Sequence, residues 1–382
     1  MDVAPGISVF LAEHAARLRG ARVALLAGPA SVLPDLGHTL DALLAAGLHV
    51  AAVLGPEHGF RGSMQAGFAE QSGVDRATGV PAIDAYGSPM DEVLAAAGAQ
   101  VVIADLQDAG ARFYTYESSL HDLIGAARRT GTEVIVCDRP NPVTGSTVAG
   151  PVLDPGYASF VGRAPIPLRH GMTIGELALL FASRQNAGDL VQVVPMAGWR
   201  RTAWFDETGL PWVPPSPNMP TVATTMCYPG TCLMEGTNLS VGRGTTTPFE
   251  LIGAPWVTHE LARRLRALDL PGVAFRETYP VPQFDRFAGQ PVCGVQLHVT
   301  DRRRFEPLRV ALEILAVTGA LWPERLTFSA GHFDRLAGSG LLREALQAGI
   351  PAADIVAGWD AGLRDFAPAR AACLRYDAAG AP

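Results

Sequence analysis

The chain has 382 residues, room for two domains, with an ordinary apolar content of 48% and only 18% charged residues. All 30 of its basic side chains are arginine, which excludes Schiff-base chemistry on lysine and a P-loop, whose phosphate grip needs that lysine. A net charge of −7 with no basic stripe argues against a nucleic-acid partner.

Met1–Gly20 lacks the apolar stretch of a secretory signal, and no later run is long and apolar enough to span a membrane. The sequence as it stands therefore reads as cytoplasmic. Five cysteines with no C-x-x-C spacing read as reduced thiols. Ala21–Ala27 and Leu48–Leu54 are short apolar runs that predict buried strands, with a helix over Leu36–Ala46 between them. Helix Asp91–Ala97, strand Val101–Ala104, helix Glu117–Arg129 and strand Glu133–Cys137 follow. This alternation predicts βαβ units and a parallel sheet covered on both faces.

A Pro/Gly-rich stretch runs from Pro140 to Gly171. Thr173 and Glu176 have capping-box spacing and open a helix that reaches Arg184; Leu190–Val194 is a further strand. Pro211–Pro248 shows little periodicity but carries Trp212, Met219, Tyr228 and Asn238, and reads as an ordered loop region near the site. Beyond it, helix His259–Ala267, strand Gly294–Val299 and helices Phe305–Gly319 and Gly340–Gly349 suggest a smaller α/β domain. The expected division is 1–250 and 251–382.

Open parallel sheets bind ligands at the carboxyl ends of their strands. Three consecutive strand ends here carry Glu57-His58 with Arg61, then Asp105, Gln107, Asp108 and Arg112, then Asp138-Arg139 and Asn141. The repeated pairing of acid with arginine among Gly and Pro points to one cleft. Glu57 reads as a general acid or base, or as a turn carboxylate. His58 could pair with it, cap a turn or bind a metal. Asp105 and Asp108 are either catalytic or spent on a turn cap and an Arg112 pair; Glu117 reads as a helix N-terminal carboxylate. Cys137 reads as a buried thiol. There is no G-x-S-x-G elbow, no H-E-x-x-H and no G-x-G-x-x-G after a strand, so no cofactor is expected. His58, Asp105, Asp108 and His170 match no metal-ligand spacing.

Glu57-His-Gly-Phe-Arg-Gly62, the D-x-Q-D-x-G-x-R-x-Y-T-Y run from Asp105 to Tyr116, and Asp138-Arg-Pro-Asn-Pro142 together resemble one family. Further matching segments are Gly150-Pro151, Arg169-His-Gly-Met-Thr173, Pro214–Thr221, Tyr228–Leu233, Glu235–Asn238, Gly242–Thr245 and Gly294–Asp301. The chain resembles the exo-β-N-acetylmuramidases (NamZ-type) of peptidoglycan turnover from about Ala21 to Trp359. The resemblance implies a Rossmann-like N-terminal domain, a smaller C-terminal domain and a cleft between them. It implies release of N-acetylmuramic acid from the non-reducing end of peptidoglycan fragments, with Glu57 as the leading catalytic candidate.

Glycoside hydrolysis usually takes two carboxylates. Glu57 is expected to protonate the leaving oxygen. Asp105 or Asp108 is expected to act opposite it, by activating water, attacking directly or holding the 2-acetamido group. Arg61, Arg112 or Arg139 would meet the lactyl carboxylate of the sugar, and Tyr114, Tyr116 or Trp212 would stack on its ring. His58, Gln107, Asn141, His170, Asn218, Glu235, Asn238 and Arg243 complete the expected substrate-binding set. A metal-assisted deacetylase or amidase acting on amino sugars is the rival enzyme, and a non-catalytic muropeptide-binding protein is the rival from another class.

Overall fold

The computed structural model describes residues 2–377. Helix α1 (Gly6–Glu13) leads into strand β1 (Arg22–Ala27), followed by α2 (Thr39–Ala45), β2 (His49–Gly55), the short β3 (Gly73–Val74) and β4 (Pro81–Asp84). Next come α3 (Met90–Ala97), β5 (Val101–Asp105), α4 (Thr115–Thr130) and β6 (Glu133–Cys137). A two-stranded ribbon, β7 (Ala149–Val152) and β8 (Pro167–Arg169), precedes α5 (Ile174–Arg184) and β9 (Val191–Val194). Seven of these strands form one sheet in the order β3-β4-β2-β1-β5-β6-β9, parallel except for the β3–β4 pair.

The parallel order is Rossmann-like. The chain runs outward from β1 through β2 to β4, then returns to β5 on the other side of β1 and continues outward. The apolar strand runs explain the double cover. Along β1, Val23, Leu25 and Ala27 face α1 and α2, while Ala24 and Leu26 face the α3, α4 and α5 side. The capping box forms as expected: the Thr173 side chain accepts from the Glu176 amide and Glu176 accepts from the Thr173 amide.

The second part begins with α6 (Val222–Thr231) and a 3-10 turn over Cys232–Gly236. Strands β10 (Leu251–Ala254), β11 (Val273–Thr278) and β12 (Cys293–Val299) form an antiparallel sheet in the order β10-β12-β11, with α7 (Glu260–Ala267) between β10 and β11. Helices α8 (Pro307–Leu321), α9 (Ala330–Ala337), α10 (Leu341–Gln347), α11 (Ala352–Ala357) and α12 (Asp360–Ala371) complete it. The core on the α4 face of the large sheet continues without a break into this part. The chain end returns to the large sheet, where the Tyr376 hydroxyl donates to Asp138 at 2.6 Å.

The reading of 211–248 as loop is corrected by α6. The helix contains Pro229, Gly230 and several threonines, a poor composition for a helix. Tertiary packing overrides it. A side chain at Gly230 would lie 2.0 Å from the Pro307 carbonyl, so only glycine lets α6 sit this close to α8. The Thr221 side chain caps the helix by accepting from the Thr224 amide.

Candidate active site

Glu57 follows β2 by two residues. The next two, His58 and Gly59, are both left-handed, with φ of 75° and 77°. That conformation is uncommon for histidine. It is held locally: His58 Nδ1 lies 3.1 Å from the Met64 carbonyl, and the Met64 amide donates to the His58 carbonyl at 3.1 Å. The Glu70 carboxylate accepts from the Phe60 amide at 2.9 Å and fills the space a side chain at Gly59 would need. Outside the turn, Arg61 pairs with Asp75 through two contacts of 3.0 and 2.9 Å, which holds the Asp75 carboxyl down at about 2.

This bracing orients Glu57. One oxygen accepts from the Gly67 amide at 2.7 Å and the other from the Thr115 hydroxyl, at the first residue of α4, at 2.5 Å. Burial and the neighbouring Glu57 carboxylate push the Tyr86 hydroxyl up to about 12, so it stays a donor. Burial lowers the pKa of His58, outweighing the attraction of Glu57, so His58 is neutral at neutral pH.

Glu57 and His58 line a cavity of about 870 Å³ between the carboxyl edge of the large sheet and the second part of the chain. Glu235 and Arg243, joined at 2.6 Å, line it as well. Burial works against the Arg243 cation, but Glu235 more than offsets this and its pKa is raised. The wall is aromatic: Tyr228 packs edge-on against Phe113 and Phe249 at 5.0 and 4.7 Å, and Tyr86 against Phe160 at 5.2 Å. Phe68 and Phe284 stand at the mouth, 63% and 42% exposed, as surface rings able to receive a ligand.

Of the expected site residues, Glu57, His58, Tyr114, Glu235 and Arg243 line this cavity. Asn218 touches it indirectly, by donating to the lining side chain of Gln65 at 3.2 Å. The others do not line it. Asp105 is fully buried; Arg139 donates to both of its oxygens and Thr39 to one. Asp108 accepts from the Gly110 amide at 2.7 Å and lies 3.2 Å from His170. Arg112 is buried and donates to the carbonyls of Pro151, Ile166 and Leu336, drawing three segments together. Gln107 and Asn141 satisfy backbone groups in the same way. Asn238 bridges the Arg325 carbonyl and the Thr327 amide. Tyr116 donates to the Pro215 carbonyl and Trp212 to that of Met219.

The expectation that Asp105 or Asp108 faces Glu57 is therefore narrowed: neither lines this cavity, and Asp105 is spent on an ion pair. Asp105 is consumed beneath the cavity by Arg139 and Thr39, while Asp108 is buried outside the lining with one oxygen on the Gly110 amide and Oδ1 without a partner. The three arginines expected at a lactyl carboxylate are likewise engaged, Arg61 by Asp75, Arg139 by Asp105 and Arg112 by carbonyls. Sequence reasoning missed Gln65, Tyr86, Phe68, Phe284, Asp285, Arg286 and His332 in the cavity wall. Gln65 and Phe68 lie just past the Glu57–Gly62 motif, and the others come from loops and a helix remote from it, with no local motif to mark them. Among the described residues, no three His, Cys, Asp or Glu side chains are grouped as a metal site would require.

The family models for the N-terminal and C-terminal parts of the exo-β-N-acetylmuramidase NamZ match residues 23–223 and 226–376. The chain belongs to the exo-β-N-acetylmuramidase NamZ family. It is 44% identical over 380 residues to the peptidoglycan β-N-acetylmuramidase NamZ of Bacillus subtilis, covering 98% of this chain and 91% of that protein. Two crystal structures of DUF1343 family proteins from Bacteroides fragilis share the fold. One has a TM-score of 0.89 at 32% identity, covering 98% of this chain and 99% of the other; the second has 0.79 at 29%, covering 99% of each.

Proposed function

We propose that this family member releases N-acetylmuramic acid from the non-reducing end of peptidoglycan fragments, with Glu57 as general acid and Glu235 as the second carboxylate. It is a glycoside hydrolase with a peptidoglycan-derived substrate. The observation that carries the residue assignment is that Glu57 and Glu235 are the two less exposed of the three carboxylates lining one aromatic-walled cavity, the third, Asp285, being exposed.

The aromatic walls suit the apolar faces of a pyranose. Two donors, the Gly67 amide and the Thr115 hydroxyl, fix the orientation of the Glu57 carboxyl in the cavity wall. Glu235, held by Arg243, acts on the other side of the bond, on water, on the anomeric carbon or on the substrate's acetamido group; the stereochemistry of the released sugar separates these routes. Arg286, at the cavity mouth and without an acidic partner among the described residues, is the arginine left for the lactyl carboxylate.

The test is release from a chromogenic β-N-acetylmuramide and from the matching β-N-acetylglucosaminide. The expected result is release from the muramide alone, lowered about 10²–10⁴-fold in both Glu57→Gln and Glu235→Gln. More than about a tenth of wild-type turnover in Glu57→Gln would overturn its role as the acid.

A further inference from the structure

The Glu57 cavity is not the largest in the molecule. A second one, of about 1230 Å³, opens between the β7–β8 ribbon, residues 200–209 and the start of α8, and shares no lining residue with the first. At its wall stands Arg169, the leading residue of the Arg-His-Gly-Met-Thr segment, which the reading of the first cavity leaves without a role.

Arg169 is 95% buried, with 5% of its surface exposed. Its one hydrogen-bond acceptor among the described residues is the Val143 carbonyl, and its Nε is buried with no partner. No carboxylate pairs with it among the described residues. Burial lowers its pKa to about 10, which still leaves it a cation at neutral pH. The Trp204 ring, 6.0 Å from its guanidinium carbon, is the one cation–π partner among the described residues, and a buried cation without a carboxylate is costly unless an anion meets it.

The surroundings do not supply that anion. Arg302 takes up Asp206 and Glu207 at 2.6 Å each, and Glu306 lies 3.7 Å from Arg309. Arg200 and Arg303, exposed on the same wall, have no acidic partner among the described residues, which leaves Asp360 as the one unpaired acid in the lining. The unspent charge is therefore cationic. Thr147 and Thr202 add exposed hydroxyls, and the half-buried indole of Trp359 adds a flat apolar face. Guanidinium, hydroxyl and indole together match a polyol that carries an oxyanion.

We propose that this cavity is a second ligand site that takes a sugar bearing a carboxylate or phosphate, with Arg169 meeting the oxyanion inside and Arg200 and Arg303 at the rim. The site does not depend on the roles of Glu57 and Glu235.

The experiment is calorimetric titration of the full chain with N-acetylmuramic acid, glucosamine 6-phosphate, N-acetylglucosamine and inorganic phosphate, at low and high salt. Each probe is run on wild type, on Arg169→Met and on the double variant Arg200→Glu/Arg303→Glu. The double variant changes only exposed side chains, so it keeps the test open if Arg169→Met fails to fold. At least one oxyanion-bearing sugar is expected to bind the wild type and to lose at least tenfold in affinity in the double variant. Turnover of a small chromogenic muramide by that variant should stay unchanged, and salt should weaken the binding. Binding of the muramic acid alone assigns a carboxylate ligand, and of the sugar phosphate alone a phosphate ligand. Equal affinity of wild type and double variant for every probe would overturn the proposal. So would equal binding of N-acetylglucosamine or bare phosphate at this site, or no binding below about 10 mM.

Discussion

At the scale of single residues, burial and pairing separate the acids that hold the fold from those that face the cavity. Asp105 has no exposed surface and its charge is matched by Arg139. Removing one partner of such a pair strands the other, at a cost of about 3–5 kcal/mol. Asp105→Asn should therefore lower the unfolding midpoint in a thermal melt by many degrees, whereas Glu235→Gln, whose Arg243 partner is partly exposed, should lower it less and lose activity as well. A normal melt with lost turnover in Asp105→Asn would return that residue to the chemistry. Arg286 makes the converse case. It is exposed, so Arg286→Ala should leave the melt unchanged and raise KM for a muramide, with no effect on kcat. An unchanged KM in steady-state kinetics would place the lactyl contact elsewhere.

Among the elements, five of the parallel strands were legible because each is a short apolar run, with edges within a residue or two of the expected ones, while β4, only Pro-Ala-Ile-Asp, was missed. Glu57 was legible for the same reason: it lies just past a strand, where ligands gather in this architecture. The same rule misled at the switch point between β1 and β5. Spacing places Asp105, Gln107 and Arg139 there, but does not tell that they bond one another and the backbone and leave a space of only about 10 Å³. Helix α6 was hidden because its existence rests on packing against α8, not on propensity. At the end of β6, Asp138 ties α5 and the chain end to the sheet through Thr173, Gly175 and Tyr376. Burial raises its pKa to about 6 despite these donors. An acid whose folded pKa lies above its unfolded value favours the fold below about 4, and this contribution is lost as pH rises to about 6. Urea unfolding between pH 4 and 7 should show that fall in wild type and a flatter profile in Asp138→Asn; parallel profiles would contradict it.

Across the whole molecule, the second part of the chain completes the site. Glu57 and Tyr86 stand on loops of the large sheet, while Tyr228, Glu235, Arg243 and Phe284 come from the segments that follow residue 222. Sequence patterns describe elements one at a time, so the wall that faces the large sheet, Glu235 included, emerged only when the two parts were brought together. The C-terminal tail reinforces this union: the Arg375 amide donates to Glu176 and the Tyr376 hydroxyl to Asp138, both in the N-terminal part.

The central claim is that a muramide is cleaved between Glu57 and Glu235. The most direct measurement is a crystal structure of the Glu57→Gln variant soaked with an uncleaved β-N-acetylmuramide. The account predicts the sugar against Tyr114 and Tyr228, its glycosidic oxygen within about 3 Å of the side chain at position 57 and Glu235 on the opposite side. A sugar bound at the β1–β5 switch point, or with its glycosidic oxygen turned away from position 57, would contradict it.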